Sequence, residues 1–136
     1  MITIDSSVAL AWYLERENAV ARLALEAVVE GGAVVPGNFD TEMVHVLAAC
    51  ERRGRTTDLQ TLRAIEDLRD LQLVTTMPPM ALIAALARRH KLTGYDAAYL
   101  ALAIERAAPL ATLDKKLAAA AQNEKIFWSA PRGKRG

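Results

Sequence analysis

Four very short apolar runs set the limits on this fold: Ile2-Thr3-Ile4, Ala33-Val34-Val35, Leu73-Val74-Thr75 and Leu110-Ala111-Thr112. Each reads as a strand. Between them lie stretches long enough for helices, with apolar residues recurring at the helical period. Strands that lack tight hairpin turns and are joined through helices pair in parallel, with the helices covering the sheet. The sequence therefore predicts one α/β domain, a parallel β-sheet flanked by helices in an α/β/α sandwich. A length of 136 residues suits one domain, and 52% hydrophobic residues can build a real core.

The helices have legible boundaries. Ser6-Ser7 open one that runs to Leu14. In the next, Val20, Leu23, Ala24, Ala27 and Val28 share a face, and Gly31-Gly32 stop it. Asn38 or Asp40 is expected to cap a helix that carries Glu42 and runs to about Arg53. Thr57-Asp58 start another, with Leu59, Leu62, Ile65 and Leu68 expected inward. After the Pro78-Pro79 break, Met80, Ile83, Ala87 and His90 share a face. Thr93-Gly94-Tyr95-Asp96 has the form of a capping box leading into the most apolar helix, Ala97 to Ala107, closed by Pro109. A short alanine-rich helix follows Asp114, and Ile126-Phe127-Trp128 reads as a last short strand. The domain is expected over residues 1–130, with a basic tail over residues 131–136.

One cysteine, Cys50, excludes an internal disulfide, fits a reducing compartment and reads as a small buried apolar group. Apolar runs fall well short of the roughly 18–20 residues needed to span a bilayer. The first residues meet an acid at Asp5 without a basic segment, unlike a signal peptide. A soluble, cytoplasmic domain with no membrane partner is the expectation. The formal charge of +1 weighs against a protein that coats nucleic acid.

Ligands of open parallel sheets bind beyond the carboxyl ends of the strands. Asp5 follows the first strand and Asp114 a late one, while Glu42 and Asp96 lie in the first turns of helices. Four acids converging there repel one another unless a cation sits among them. Oxygen ligands without a sulfur or histidine cluster suit Mg²⁺ or Mn²⁺. Each acid also has a local reading as a helix cap or as an anion at a helix start, and the two roles are compatible.

The words around the acids are more specific. Asp5-Ser6-Ser7-Val8-Ala9-Leu10-Ala11-Trp12, Thr93-Gly94-Tyr95-Asp96-Ala97-Ala98-Tyr99-Leu100-Ala101-Leu102-Ala103 and Leu110-Ala111-Thr112-Leu113-Asp114-Lys115-Lys116-Leu117 occur in that order. They resemble the PIN-domain family and, within it, the VapC-type toxin ribonucleases of type II toxin–antitoxin pairs. The resemblance spans Met1 to about Trp128 and implies a PIN fold with a Mg²⁺-dependent endoribonuclease site. It implies Asp5, Glu42, Asp96 and Asp114 as the acidic quartet, with Asp5, Asp96 and Asp114 as metal ligands and Glu42 as a ligand or a general base. Ser7 and Thr112 match hydroxyl positions that would hold a carboxylate or a water. The resemblance further implies in-line attack leaving a 5′-phosphate and a 3′-hydroxyl, a homodimer, and a cognate VapB-type antitoxin.

Two positions depart from the family pattern. His45 stands where many relatives carry Asn, and Lys115-Lys116 stand where some carry another acid. The lysines weigh against a tightly bound second metal but can meet RNA phosphates, as can Arg52 and Arg53. These departures keep a weakly catalytic or inactive PIN-like RNA- or partner-binding module as the alternative.

Other signals are thinner. Glu42-Met43-Val44-His45 has a Glu-x-x-His form, but di-iron bundles need two such motifs, and His90 lacks the matching glutamate. His90 reads as a helix-end residue. A phosphohydrolase with an aspartyl nucleophile would need Asp-x-Asp, whereas Asp5 precedes Ser6-Ser7. Met43, Met77 and Met80 read as core or dimer packing, and Trp12 and Tyr99 as core. If four acids share one pocket, the 17 basic residues face only 12 acids elsewhere, and the balanced charge no longer argues against RNA.

Overall fold

Ile2, Thr3 and Ile4 are β-branched and wholly buried, as a strand covered on both faces requires. They form β1 (Ile2–Ile4), followed in sequence by β2 (Ala33–Val35), β3 (Val74–Thr75) and β4 (Leu110–Ala111). A computed structural model of the protein describes residues 1–131 and 133. All pairings are parallel and the order is β3-β2-β1-β4, with Thr3 opposite both Val34 and Leu110. The chain is thus a single α/β domain in which β1 lies inside the sheet.

Seven helices flank the sheet among the described residues. They are α1 (Ser6–Leu14), α2 (Ala19–Gly31), α3 (Phe39–Arg52), α4 (Asp58–Asp70), α5 (Met80–His90), α6 (Gly94–Arg106) and α7 (Lys115–Asn123). Alternation along the strands sends Ile2, Ile4, Ala33 and Val35 into the main core. Val34 instead packs with Leu102 and Ala108. Ala97 to Ala103 of α6 are all buried, and the small alanines allow close approach to the sheet. Gly32 ends α2 at φ +81°, a conformation that glycine adopts without strain.

The structure corrects several expectations. α6 starts at Gly94, ahead of Ala97, because Thr93 takes the cap position. Its hydroxyl accepts from the Asp96 N–H, but the return bond of a capping box is absent among the described residues. The reciprocal box forms instead at α4, between Thr57 and Gln60. Asn38 occupies the cap of α3 without capping it, since its side chain turns to Glu42. Ile126 to Trp128 contribute one parallel bridge, Leu110 to Phe127, in place of a strand.

Most of the α4 stripe faces outward: Leu59 and Leu62 are 56% and 57% exposed and Ile65 is exposed, whereas Leu68 is half-buried against the core as expected and Ala64 is buried. Periodicity marks a stripe without saying whether this chain covers it. Val20, Met77 and Met80 are exposed, while Met43, Cys50 and Tyr99 are buried as expected. Among the described residues no helix is long and apolar enough to cross a membrane. Apart from Pro131 and Gly133, the expected basic tail lies outside the described residues.

Candidate active site

Because the strands are parallel, their carboxyl ends lie along one edge, and the chain leaves β1 and β4 side by side there. Asp5 directly follows β1, and its N–H donates to the Ala111 carbonyl of β4. Strand order places β2 on one side of β1 and β4 on the other, so the gap between β1 and β4 is a switch point of the sheet.

Asp5 is almost enclosed, at 4% exposure, and both carboxylate oxygens are engaged. Oδ1 accepts from the Ser7 hydroxyl at 2.6 Å and from the Val8 N–H at 3.2 Å, which makes Asp5 the cap of α1. Oδ2 accepts from the Thr112 hydroxyl at 2.5 Å. Ser7 Oγ in turn accepts from Leu113 N–H, and Thr112 Oγ1 from Asp114 N–H. The two hydroxyls therefore bind the first acid to the segment that presents the last one. Burial pushes the Asp5 carboxyl up to about 6, against the lowering pull of those hydrogen bonds.

Asp114 is exposed and caps α7 through the Leu117 N–H at 2.8 Å. The cap reading and the site reading thus coincide at both aspartates. Asp96, in the first turn of α6, has its carboxyl raised by burial first, then by Asp114 and Glu42, with Lys116 opposing. Asp5 also feels Asp96. The four acids accordingly share one electrostatic field, and none has an ion-pair partner among the described residues.

Glu42 is held by residues that the sequence reading left out of the site. The Ser6 hydroxyl donates to Oε1 at 3.3 Å, the Tyr99 hydroxyl to Oε2 at 3.3 Å, and the Asn38 amide also donates to Oε2. Tyr99 offered one signal, its position three residues past Asp96 on the same helix face. Ser6 and Asn38 read as ordinary helix-start residues and offered none.

Of the expected RNA contacts, Lys115 and Lys116 are exposed at the start of α7, next to Asp114. Arg52 and Arg53 are elsewhere: at about 1.5 Å per residue, Arg52 stands roughly 15 Å along α3 from Glu42. His45 is exposed on α3, and His90 pairs with Glu124.

The donor chemistry fits a hard divalent cation. All four side chains are oxygen donors, and an enclosed carboxylate among like charges gains most from a cation. The geometry is looser: among the described residues no three or more Asp, Glu, His or Cys side chains gather into a group that could hold a metal ion. Asp5 is taken up by hydroxyls, Glu42 by its three donors and Asp114 by its cap, while mutual repulsion works against convergence.

Carboxylates sharing a field at the switch point of a parallel sheet lie where the ligands of open α/β sheets bind. The family model for the PIN domain matches residues 2–123, and the chain belongs to the PIN-domain family. PIN domains are generally nucleases and usually use divalent metals. The fold is similar to the crystal structure of PAE2754 from Pyrobaculum aerophilum, with a TM-score of 0.70 and 20% sequence identity, covering 88% of this chain and 83% of that chain. No curated protein matches this sequence.

Proposed function

We propose that this PIN domain is a divalent-metal-dependent endoribonuclease, the VapC-type toxin of a type II toxin–antitoxin pair. The observation that carries the reading is the enclosed Asp5, locked by Ser7 and Thr112 to the Asp114 segment and sharing a field with Asp96 and Glu42.

Asp5, Asp96 and Asp114 would hold Mg²⁺ or Mn²⁺, directly or through water, with Glu42 beside them. Bound there, the cation supplies an acidified water and charge relief on the phosphoryl oxygens. The chain's own groups do the rest. Ser7 and Thr112 fix the Asp5 carboxylate. The first turn of α6 presents Asp96, and Lys115 and Lys116 meet phosphates on the substrate strand. In-line attack leaves a 5′-phosphate and a 3′-hydroxyl.

The same reading carries a homodimer and a cognate VapB-type antitoxin as partners. Its support is the apolar surface that this chain leaves uncovered, with Val44 of α3 and Leu59, Leu62 and Ile65 of α4 all exposed. A second reading, a weakly cleaving RNA- or partner-binding module, draws on the ungathered carboxylates and on Lys115-Lys116.

Incubation of the purified chain with structured RNA and Mg²⁺ or Mn²⁺ separates the two. The nuclease reading expects endonucleolytic products that vanish with EDTA and with Asp5→Asn. RNA bound but uncut at every metal concentration establishes the second reading, and cleavage unaffected by EDTA overturns the metal assignment.

A further inference from the structure

Glutamate on the first turn of a helix has three rotatable bonds, and nothing in α3 itself fixes where its carboxylate goes. Three donors from outside the body of α3 do so here. Ser6 begins α1, Asn38 precedes α3, and Tyr99 lies within α6. They differ in stiffness. The Tyr99 ring is completely buried, so packing sets the position of its hydroxyl. That hydroxyl is the ring's one polar atom, and a buried tyrosine hydroxyl needs a partner. Its partner is Glu42 Oε2, which also takes Asn38, whereas Oε1 accepts only from Ser6 among the described residues.

We propose that Tyr99 is a positioning residue: its hydroxyl, aided by Asn38, anchors Oε2 of Glu42 and leaves Oε1 as the oxygen offered to the divalent cation. Tyr99 sits one helical turn past Asp96, so a single rigid helix sets the places of both acids. The inference rests on the metal-dependent reading above and adds the residue that aims Glu42.

The test uses the full chain and Mn²⁺ as probe, with free Mn²⁺ followed by electron paramagnetic resonance and folding by thermal melting. Partners that orient a metal ligand typically carry 10–100-fold of affinity, so Tyr99→Phe is expected to weaken Mn²⁺ binding about 10-fold at an unchanged melting temperature. Glu42→Gln weakens binding too, and adding Tyr99→Phe to it has no further effect, because the tyrosine acts through that carboxylate. Wild-type affinity in Tyr99→Phe, alongside a weakened Glu42→Gln, overturns the positioning role and leaves the metal reading standing. Additive losses in the double variant overturn it as well. A wild-type chain that binds no Mn²⁺ overturns the metal reading together with this inference. If Tyr99→Phe does not fold, Asn38→Ala serves in its place, since Asn38 makes no side-chain cap bond. Unchanged Mn²⁺ affinity in Asn38→Ala overturns the anchor at Oε2.

Discussion

His90 Nε2 lies 2.6 Å from Glu124 Oε2, and the same oxygen takes Arg89 Nη1 at 2.8 Å. One carboxylate thereby ties the last turn of α5 to the end of α7. The His90 hydrogen bond, followed by that of Arg89, holds the Glu124 carboxyl below its ordinary 4.5. A folded-state value below the unfolded one gives stability that is full above the ordinary value and lost as pH falls through the lowered one. Glu124→Gln should remove about 0.5–1 kcal/mol at neutral pH and flatten the acid limb of a melting-temperature curve. Parallel acid limbs for the two proteins would refute the tie.

Thr3 is the polar member of a buried strand, and its hydroxyl donates to the Ala108 carbonyl at 2.9 Å. Valine has the same shape without the donor. Thr3→Val should therefore cost about 1–2 kcal/mol, read as a lower urea midpoint at constant slope. RNA cleavage per folded molecule should be unaffected, because the bond lies beyond the amino end of β4, away from the acids. An unchanged midpoint would show that the bond contributes nothing net.

Asp5→Asn separates stability from activity. Burial has raised this carboxyl from 3.8 to about 6, so the folded chain binds more protons than the unfolded one across that window. Stability consequently falls as pH rises through it, and an ionised Asp5 is a net burden at neutral pH without a cation. The amide can still accept from the Val8 N–H. In EDTA at neutral pH, Asp5→Asn should melt no lower than wild type, while cleavage in Mg²⁺ drops by about 100-fold or more. A large loss of melting temperature would mean that Asp5 is needed chiefly for the fold.

The outward stripe of α4 makes the homodimer testable. Surface substitutions usually move the stability of a single folded chain by less than about 0.5 kcal/mol, so Leu62→Asp should lower the melting temperature by no more than the loss of a partner copy accounts for. If α4 meets a second copy, sedimentation equilibrium should report a dimer for wild type and a monomer for the variant. A wild-type monomer at micromolar concentration excludes the homodimer, and a dimer that survives Leu62→Asp moves the interface off α4.

Where local chemistry decides, the sequence was readable. Ile2-Thr3-Ile4 and Ala33-Val34-Val35, bounded by Asp5 and by Pro36-Gly37, are strands to the residue, and Ser6 to Leu14 is a helix to the residue. The place of Asp5 was equally legible, because an acid directly after a parallel strand sits at the carboxyl edge of the sheet. The side of α4 that faces solvent was not, since Leu59, Leu62 and Ile65 have the same period whether this chain or another covers them. Nor was the Tyr99–Glu42 bond, which joins positions 57 residues apart through the packing of α6. Asn38 illustrates a subtler loss: a residue well suited to accept a cap bond through its Oδ1 is instead oriented by its amide nitrogen, which donates to Glu42 four residues on.

Asp5 and Thr112 are 107 residues apart in the chain, yet their side chains touch. A ribosome lays down the first acid at once and the hydroxyl that secures it only near the end. Until β4 has been made and has slotted in beside β1, Asp5 lacks half its support, and Asp114 has no place from which to join it. A chain that stops short of β4 therefore holds an incomplete acidic set: the four carboxylates come to share one field only after Asp114 has been added and β4 has docked.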